Sequence, residues 1–426
     1  MTPYLDDLRV NWRPLGAAFV GLAGGLMMAA YVMGIMAPYL IAEFGWQRSQ
    51  FALVGGLALV SVLVFPLVGR MTDTIGVRPT AMIGAVASPL LFVALSQVHD
   101  LRTYAICFTL QCLILVTTTP PVYCRVVVQY IKRARGLALA IVTCGPAVTT
   151  AIGGPLLNNF VAAHGWRAGY LALAGFTLVT GALALLLLPA PGQRKADEPH
   201  VRRKAAKQDY ARIVRSPVFW IIFAAVLLGT MPQSMMMTQL SLVLGQHGVS
   251  GGGASAIIST YATGMLVGRF LCGLALDRFP APVVSAFGFI LSAIGLFIFA
   301  SSIDARPMLM VAALLFGLTC GAEGDIVAYL VVRNFGVRIY SSVAGILAAT
   351  VAISAVVGAL TLSLMLKLFG NYAAFLTVAG VLVLVASGLF LLLPFNPATP
   401  QETPETEETP ADAPRPALAS KAGAAA

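Results

Sequence analysis

The sequence predicts an all-α polytopic membrane protein, with twelve transmembrane helices in two pseudo-symmetric six-helix halves. Three observations predict it. Of the 426 residues, 58% are hydrophobic and only 10% are charged, where soluble domains carry about 25% charged residues. The apolar residues gather into runs of about 20, enough to cross a hydrocarbon core about 30 Å thick. Short motifs of the first half also return in the second at a nearly constant offset.

Taken in chain order, the first apolar run is too long for a signal peptide, lacks a clean cleavage site, and follows Asp6, Asp7, Arg9 and Arg13, so it reads as an uncleaved span. Spans are expected near 15–41, 51–69, 79–98, 103–130, 136–160 and 167–189, then near 217–244, 255–276, 281–301, 307–333, 340–366 and 372–394. The domains follow: a first half over 1–189, a cytoplasmic linker over 190–216 rich in Arg and Lys, a second half over 217–394, and a Pro-, Glu- and Ala-rich disordered tail over 395–426. With the N-terminus inside, the outer loops hold only Arg48, Arg102, Arg167, Arg306 and Lys367, five of the 27 basic residues. Both termini are therefore expected in the cytoplasm. The net charge of +10 is topology signal, and no nucleic acid partner is implied.

The internal repeat is specific. Gly69-Arg-Met-Thr-Asp73 after span two matches Gly273-Leu-Ala-Leu-Asp277 after span eight, an offset of 204. Gly165-Trp-Arg-Ala-Gly-Tyr-Leu171 before span six matches Gly370-Asn-Tyr-Ala-Ala-Phe-Leu376 before span twelve, an offset of 205. Duplicated halves of this kind build a cavity at their interface that opens alternately to each side.

Gly69-Arg-Met-Thr-Asp-Thr-Ile-Gly-Val-Arg78 resembles the signature loop of the major facilitator superfamily, with Pro79 where a second basic residue is usual. The resemblance covers about residues 15–394 and implies a cytoplasmic gate formed by Gly69, Arg70, Asp73 and Arg78, with Gly273, Asp277 and Arg278 as their repeats. Asp73 is suited to pair with basic groups or a helix N-terminus across the half interface. Pro38-Tyr-Leu-Ile-Ala-Glu-Phe-Gly-Trp46 and Tyr130-Ile-Lys-Arg-Ala-Arg-Gly-Leu-Ala-Leu-Ala140 are similar to monocarboxylate porters and their bacterial relatives. That family moves small organic anions with a proton, and its span-eight arginine, which meets the substrate carboxylate, corresponds to Arg269. Its animal members also use a lysine in span one, whereas Tyr31, Val32 and Met33 stand in that region here.

The chemistry agrees with a carrier. An arginine fork grips a carboxylate with two hydrogen bonds, and Arg269, eight residues before Asp277, lies about 12 Å along the helix. Glu323 and Asp325 sit inside span ten, where charge costs several kcal/mol and marks a pathway, so they are the candidates for proton coupling. Two residues apart is about 200° around a helix. One acid therefore lines the pathway, with Glu323 favoured, and the other pairs with a neighbouring helix. Arg125, after the kink-prone Thr117-Thr-Thr-Pro-Pro121, is a second anion contact or the partner of an acid. Tyr31, Gln233 and Tyr329 complete the substrate-contact candidates. The six cysteines lie in apolar segments and imply neither disulfides nor metal. No phosphate-binding loop, zinc motif or nucleophile elbow is present, so neither a cofactor nor enzymatic catalysis is implied.

The expected function is proton-coupled symport of an organic monocarboxylate by alternating access, in the inner membrane, by a monomeric unit. Proton-coupled export of a drug-like or cationic compound is the alternative, and a transport-defective sensor with a carrier fold is a third reading.

Overall fold

The structure, a computed structural model, describes residues 3–189 and 209–395. The expected linker lies outside the described residues over 190–208, and the expected tail from 396 onward. The described residues form helices, with no strand among them.

A short helix α1 (Pro3–Val10) precedes span one, which is broken into α2 (Trp12–Ala23) and α3 (Met27–Phe44). Span two runs through α4 (Arg48–Gly56), a 3-10 turn at Leu57–Val60 and α5 (Ser61–Ile75), and span three is α6 (Val77–Ser96). Span four is α7 (Leu101–Ile114) and α8 (Pro120–Tyr130), separated by a 3-10 turn and by Thr119 in extended geometry, which Pro120 enforces. The kink expected at Thr117–Pro121 is thus a full break. Span five comprises α9 (Arg135–Thr143), α10 (Gly145–Val148), a π-turn at Thr149–Gly153 and the first part of α11 (Gly154–Leu187).

Helix α12 (Asp209–Arg215) is bent by 69° from α13 (Pro217–Gly229), which α14 (Gln233–Gln246) follows to complete span seven. Spans eight to twelve are single helices: α15 (Gly251–Arg278), α16 (Ala281–Ala300), α17 (Arg306–Phe335), α18 (Tyr340–Phe369) and α19 (Tyr372–Leu391).

Among the described residues, ten segments are individually long and apolar enough to cross a membrane. The 53-residue run Arg135–Leu187 is one of them, yet at 1.5 Å per residue it would be about 80 Å long, more than twice the hydrocarbon thickness. Gly165, at φ 84, turns it back, giving spans five and six. A side chain at that φ would be strained, which is why glycine stands there. Helices α13 and α14, with 13 and 14 residues, are each too short alone and cross together. Twelve crossings result. The breaks at residues 24–26 of span one and 230–232 of span seven occupy equivalent places in the two halves.

The tightest pairing is α15 on α17, made by Gly264 and Gly268 on one helix and Gly317 and Gly321 on the other. A Cβ on Gly268 would collide with the Leu318 carbonyl, and one on Gly321 with the Met265 carbonyl. Small residues four apart let backbones approach in this way within a bilayer. The pairing sets Arg269, next to Gly268, within electrostatic reach of Asp325, just after Gly321. Of the methionines near Tyr31 and Gln233 in spans one and seven, Met28, Met36, Met235 and Met236 are buried, whereas Met27 is exposed.

Gly321→Ala is expected to lower the thermal unfolding temperature in detergent by an overpacking cost of about 1–3 kcal/mol. Gly388→Ala, the same change where a Cβ meets open space, is expected to be neutral or stabilising.

Candidate functional site

The first four N–H groups of any helix have no partner within it, and two such helix starts organise the face that carries the Gly69–Arg78 loop. Asp73 at the end of α5 accepts from the N–H of Ser341 at 3.1 Å and of Ser342 at 2.6 Å, the second and third residues of α18. The Ser342 hydroxyl adds a third bond at 2.6 Å. Asp277 at the end of α15 accepts from the N–H of Gly136 at 2.7 Å and of Leu137 at 3.1 Å, the second and third residues of α9. Each half thus supplies one carboxylate and one helix start. The repeat legible in the chain is a two-fold pair of contacts in space. Gly69 and Gly273 are where the backbones touch: a Cβ on the first would collide with the Ser341 carbonyl, and one on the second would lie 2.7 Å from the Gly136 carbonyl.

Further groups reinforce this face. Arg125, buried in α8, forms an ion pair with Asp73. Of the two roles left open for it, this ion pair makes it the partner of an acid. Arg70 and Arg338, from opposite halves, share Asp209 of α12 at 2.9 and 2.6 Å. From α1, Asp7 accepts from the N–H groups of Lys132, Arg133 and Ala134 at 3.1, 2.8 and 3.4 Å, while the Tyr4 hydroxyl donates to Asp277 at 2.8 Å. Burial first, and that bond second, push the Tyr4 phenol above its ordinary value. Arg78 and Arg278 flank the contact without a hydrogen bond or ion pair to a described residue.

The opposite face is held within each half. Glu43 binds Trp166 and Arg167, and His247 meets Asp304 at 2.8 Å and the Phe299 carbonyl at 3.1 Å. Helices α3 and α14 pack chiefly within their own halves. The molecule is therefore closed on the face of the signature loop.

Inward from that closure, the acids of span ten separate as their spacing requires. Asp325 is fully buried and points to the other half, where one carboxylate oxygen accepts from the Thr143 hydroxyl at 2.7 Å. Its second oxygen has no hydrogen-bond partner. Arg269 is the basic group that acts on Asp325 electrostatically. It also acts on Cys124 and Cys144 of the opposite half, so its charge faces the interface. Arg269 is partly exposed and makes no hydrogen bond or ion pair to a described residue. Glu323 is 7% exposed and lies toward Tyr261 and Cys320 of its own half, also without such a bond. The acid that reaches the neighbouring half is thus Asp325.

The remaining candidates divide. Tyr31 on α3 is half-buried, its hydroxyl close to Gly153 in the π-turn of span five. Gln233 starts α14 beside the span-seven break and is half-buried. Tyr329 lies within electrostatic reach of Asp277, Arg135 and Arg333, which places it at the closed face and away from Arg269. Sequence reasoning missed Asp7, Asp209 and Thr143. The repeat offset carried to Gly136 and Ser341 would have found the two helix starts, but nothing local marks the other three.

The sequence profile of the Major Facilitator Superfamily matches residues 18–257 and 228–423. Human monocarboxylate transporter 11 is 24% identical over 401 residues, covering 90% of this chain and 83% of its own. The E. coli fucose:proton symporter FucP has a similar fold, with a TM-score of 0.71 at 13% identity, covering 89% of this chain and 97% of its own. So does the human organic anion transporter MFSD10, with a TM-score of 0.66 at 14% identity, covering 89% and 99%.

Asp73→Asn and Asp277→Asn each remove a charge from a helix start, a loss of about 1 kcal/mol. Each is expected to raise the open-to-closed ratio of this face about five-fold. Electron–electron distances between spin labels at positions 75 and 279, both exposed, should lengthen in either variant and further in the double variant.

Proposed function

The chain belongs to the major facilitator superfamily and is a membrane transporter, and on that premise we propose that it carries an organic monocarboxylate together with a proton by alternating access. The observation that carries the reading is Arg269: a partly exposed guanidinium at the half interface, with no partner among the described residues and a buried acid within electrostatic reach. An arginine without a carboxylate partner inside a membrane protein is costly unless water or a ligand serves it. A substrate carboxylate meets that need with two parallel hydrogen bonds.

The names of the relatives support the reading: a monocarboxylate transporter by sequence, a proton symporter and an organic anion transporter by fold. With Tyr31, Val32 and Met33 in the region where animal monocarboxylate porters place a lysine, coupling falls to the acids of span ten. The distribution of Lys and Arg puts both termini, and so the closed face, in the cytoplasm of a cell whose inner membrane holds the protein. On that orientation the structure is the outward-facing state. The functional unit is a monomer, because the interface that moves lies between the halves of one chain.

The test is counterflow of labelled monocarboxylates in proteoliposomes, with and without an inward proton gradient. Acidifying the outside should raise uptake. Arg269→Ala should lower it by about 10- to 100-fold, the value of a hydrogen-bonded charge pair, and Arg269→Lys should restore only part because the fork is lost. Carboxylate uptake unchanged in Arg269→Ala, or efflux of organic cations without any carboxylate uptake, overturns the reading.

A further inference from the structure

We propose that Thr143 is a coupling residue of this carrier: its hydroxyl holds Asp325 across the half interface in both protonation states of the acid. The inference rests on the proton-coupled reading above and assigns the proton to Asp325 in preference to Glu323.

The geometry that supports it is a hydroxyl between two oxygens. Thr143 Oγ1 lies 2.7 Å from Asp325 Oδ1 and 2.8 Å from the carbonyl oxygen of Leu139, one turn back in α9. A hydroxyl has one proton to give and two lone pairs to receive with, and the Leu139 carbonyl can only accept. Two arrangements satisfy the site. When Asp325 is ionised, the hydroxyl donates to it. When a proton from water has bound Asp325 Oδ1, the new O–H donates to Thr143 Oγ1, and the threonine proton turns to the Leu139 carbonyl, a back-bond that threonine makes readily in helices. Beyond the O–H bond that the incoming proton forms on Asp325, one rotation of the threonine hydroxyl interconverts the two. The contact between the halves persists through both.

Substrate supplies the order of events. The second oxygen of Asp325 has no donor, so Arg269 is the main compensation for its charge. A carboxylate that engages Arg269 weakens that compensation, and the acid then takes a proton before the halves reorient. The titratable and charged groups around Asp325 are Arg269 and Cys272 of α15, Cys124 of α8, Cys144 after α9 and Tyr340 of α18. Arg269 is the one permanent charge among them, so its engagement is the event that moves the acid. Glu323 lacks such a neighbour: Tyr261 and Cys320, the groups in reach of it, are neutral.

The experiment compares wild type, Thr143→Ser, Thr143→Val, Thr143→Ala and Asp325→Asn in proteoliposomes. Counterflow, which never needs the empty carrier to return, is read beside accumulation driven by a proton gradient. Thr143→Ser should match wild type in both. Thr143→Val and Thr143→Ala should keep counterflow within about threefold and lose gradient-driven accumulation by about tenfold or more, the value of one hydrogen bond to a charged group. Accumulation at wild-type level in Thr143→Val overturns the proposal, as does loss of both activities in Thr143→Ser. A second readout needs no substrate: the infrared carbonyl band of protonated Asp325, identified by its absence in Asp325→Asn, should shift in Thr143→Val and not in Thr143→Ser. An unshifted band overturns the role of Thr143. A wild type without counterflow of any carboxylate overturns the functional reading instead, and the infrared comparison still decides between bonded and unbonded Asp325.

Discussion

A charge placed among membrane helices must find a partner or water, and the hydrogen bonds between the two halves of this protein answer that requirement. Asp73 has Arg125 and the start of α18, Asp277 has the start of α9, and Asp209 has two arginines. Asp325 has one hydroxyl and the field of Arg269. The acids at the closed face are therefore well served, and Asp325 in the interior is served less.

Rigidity and bending are distributed to suit. Spans eight and ten, which carry Arg269 and the acids, are unbroken helices in glycine-mediated contact. Spans one, four, five and seven, which surround the interface, are all interrupted by 3-10, π or non-helical residues. Arg269 and the acids therefore sit on two unbroken helices in close contact. Closure at one face rests on a small number of hydrogen bonds to carboxylates, each worth about 1.5–3 kcal/mol.

Much of this was legible in the chain. Apolar run length placed twelve crossings, and the repeats around Gly69 and Gly165 gave the two halves. The break in span four was marked by Thr117–Pro121, whereas that at Gly24–Leu26 was not, because two glycines in an apolar run read equally as packing residues. The role of Asp73 as a helix-start partner followed from its type and place. Arg125, Tyr329 and the choice between Glu323 and Asp325 were not decidable, since each depends on which face of a helix turns to the other half. Thr143 gave no signal at all: it is an ordinary threonine in a helix until residue 325 arrives 182 positions later.

One property of the paired closure bears on how such a protein tolerates change. In both contacts the acceptor is a side chain and the main donors are backbone N–H groups of Gly136, Leu137, Ser341 and Ser342. Backbone donors survive replacement of the side chains that bear them, proline excepted. The donors of Leu137 and Ser341 are therefore tolerant of most substitutions, whereas the two aspartates and the glycines at the close approach, Gly69, Gly136 and Gly273, are not. The donor side can vary at Leu137 and Ser341 while the contact stays, so related chains can share this closure with few side chains in common beyond the two acids, provided the glycines at the close approach are kept.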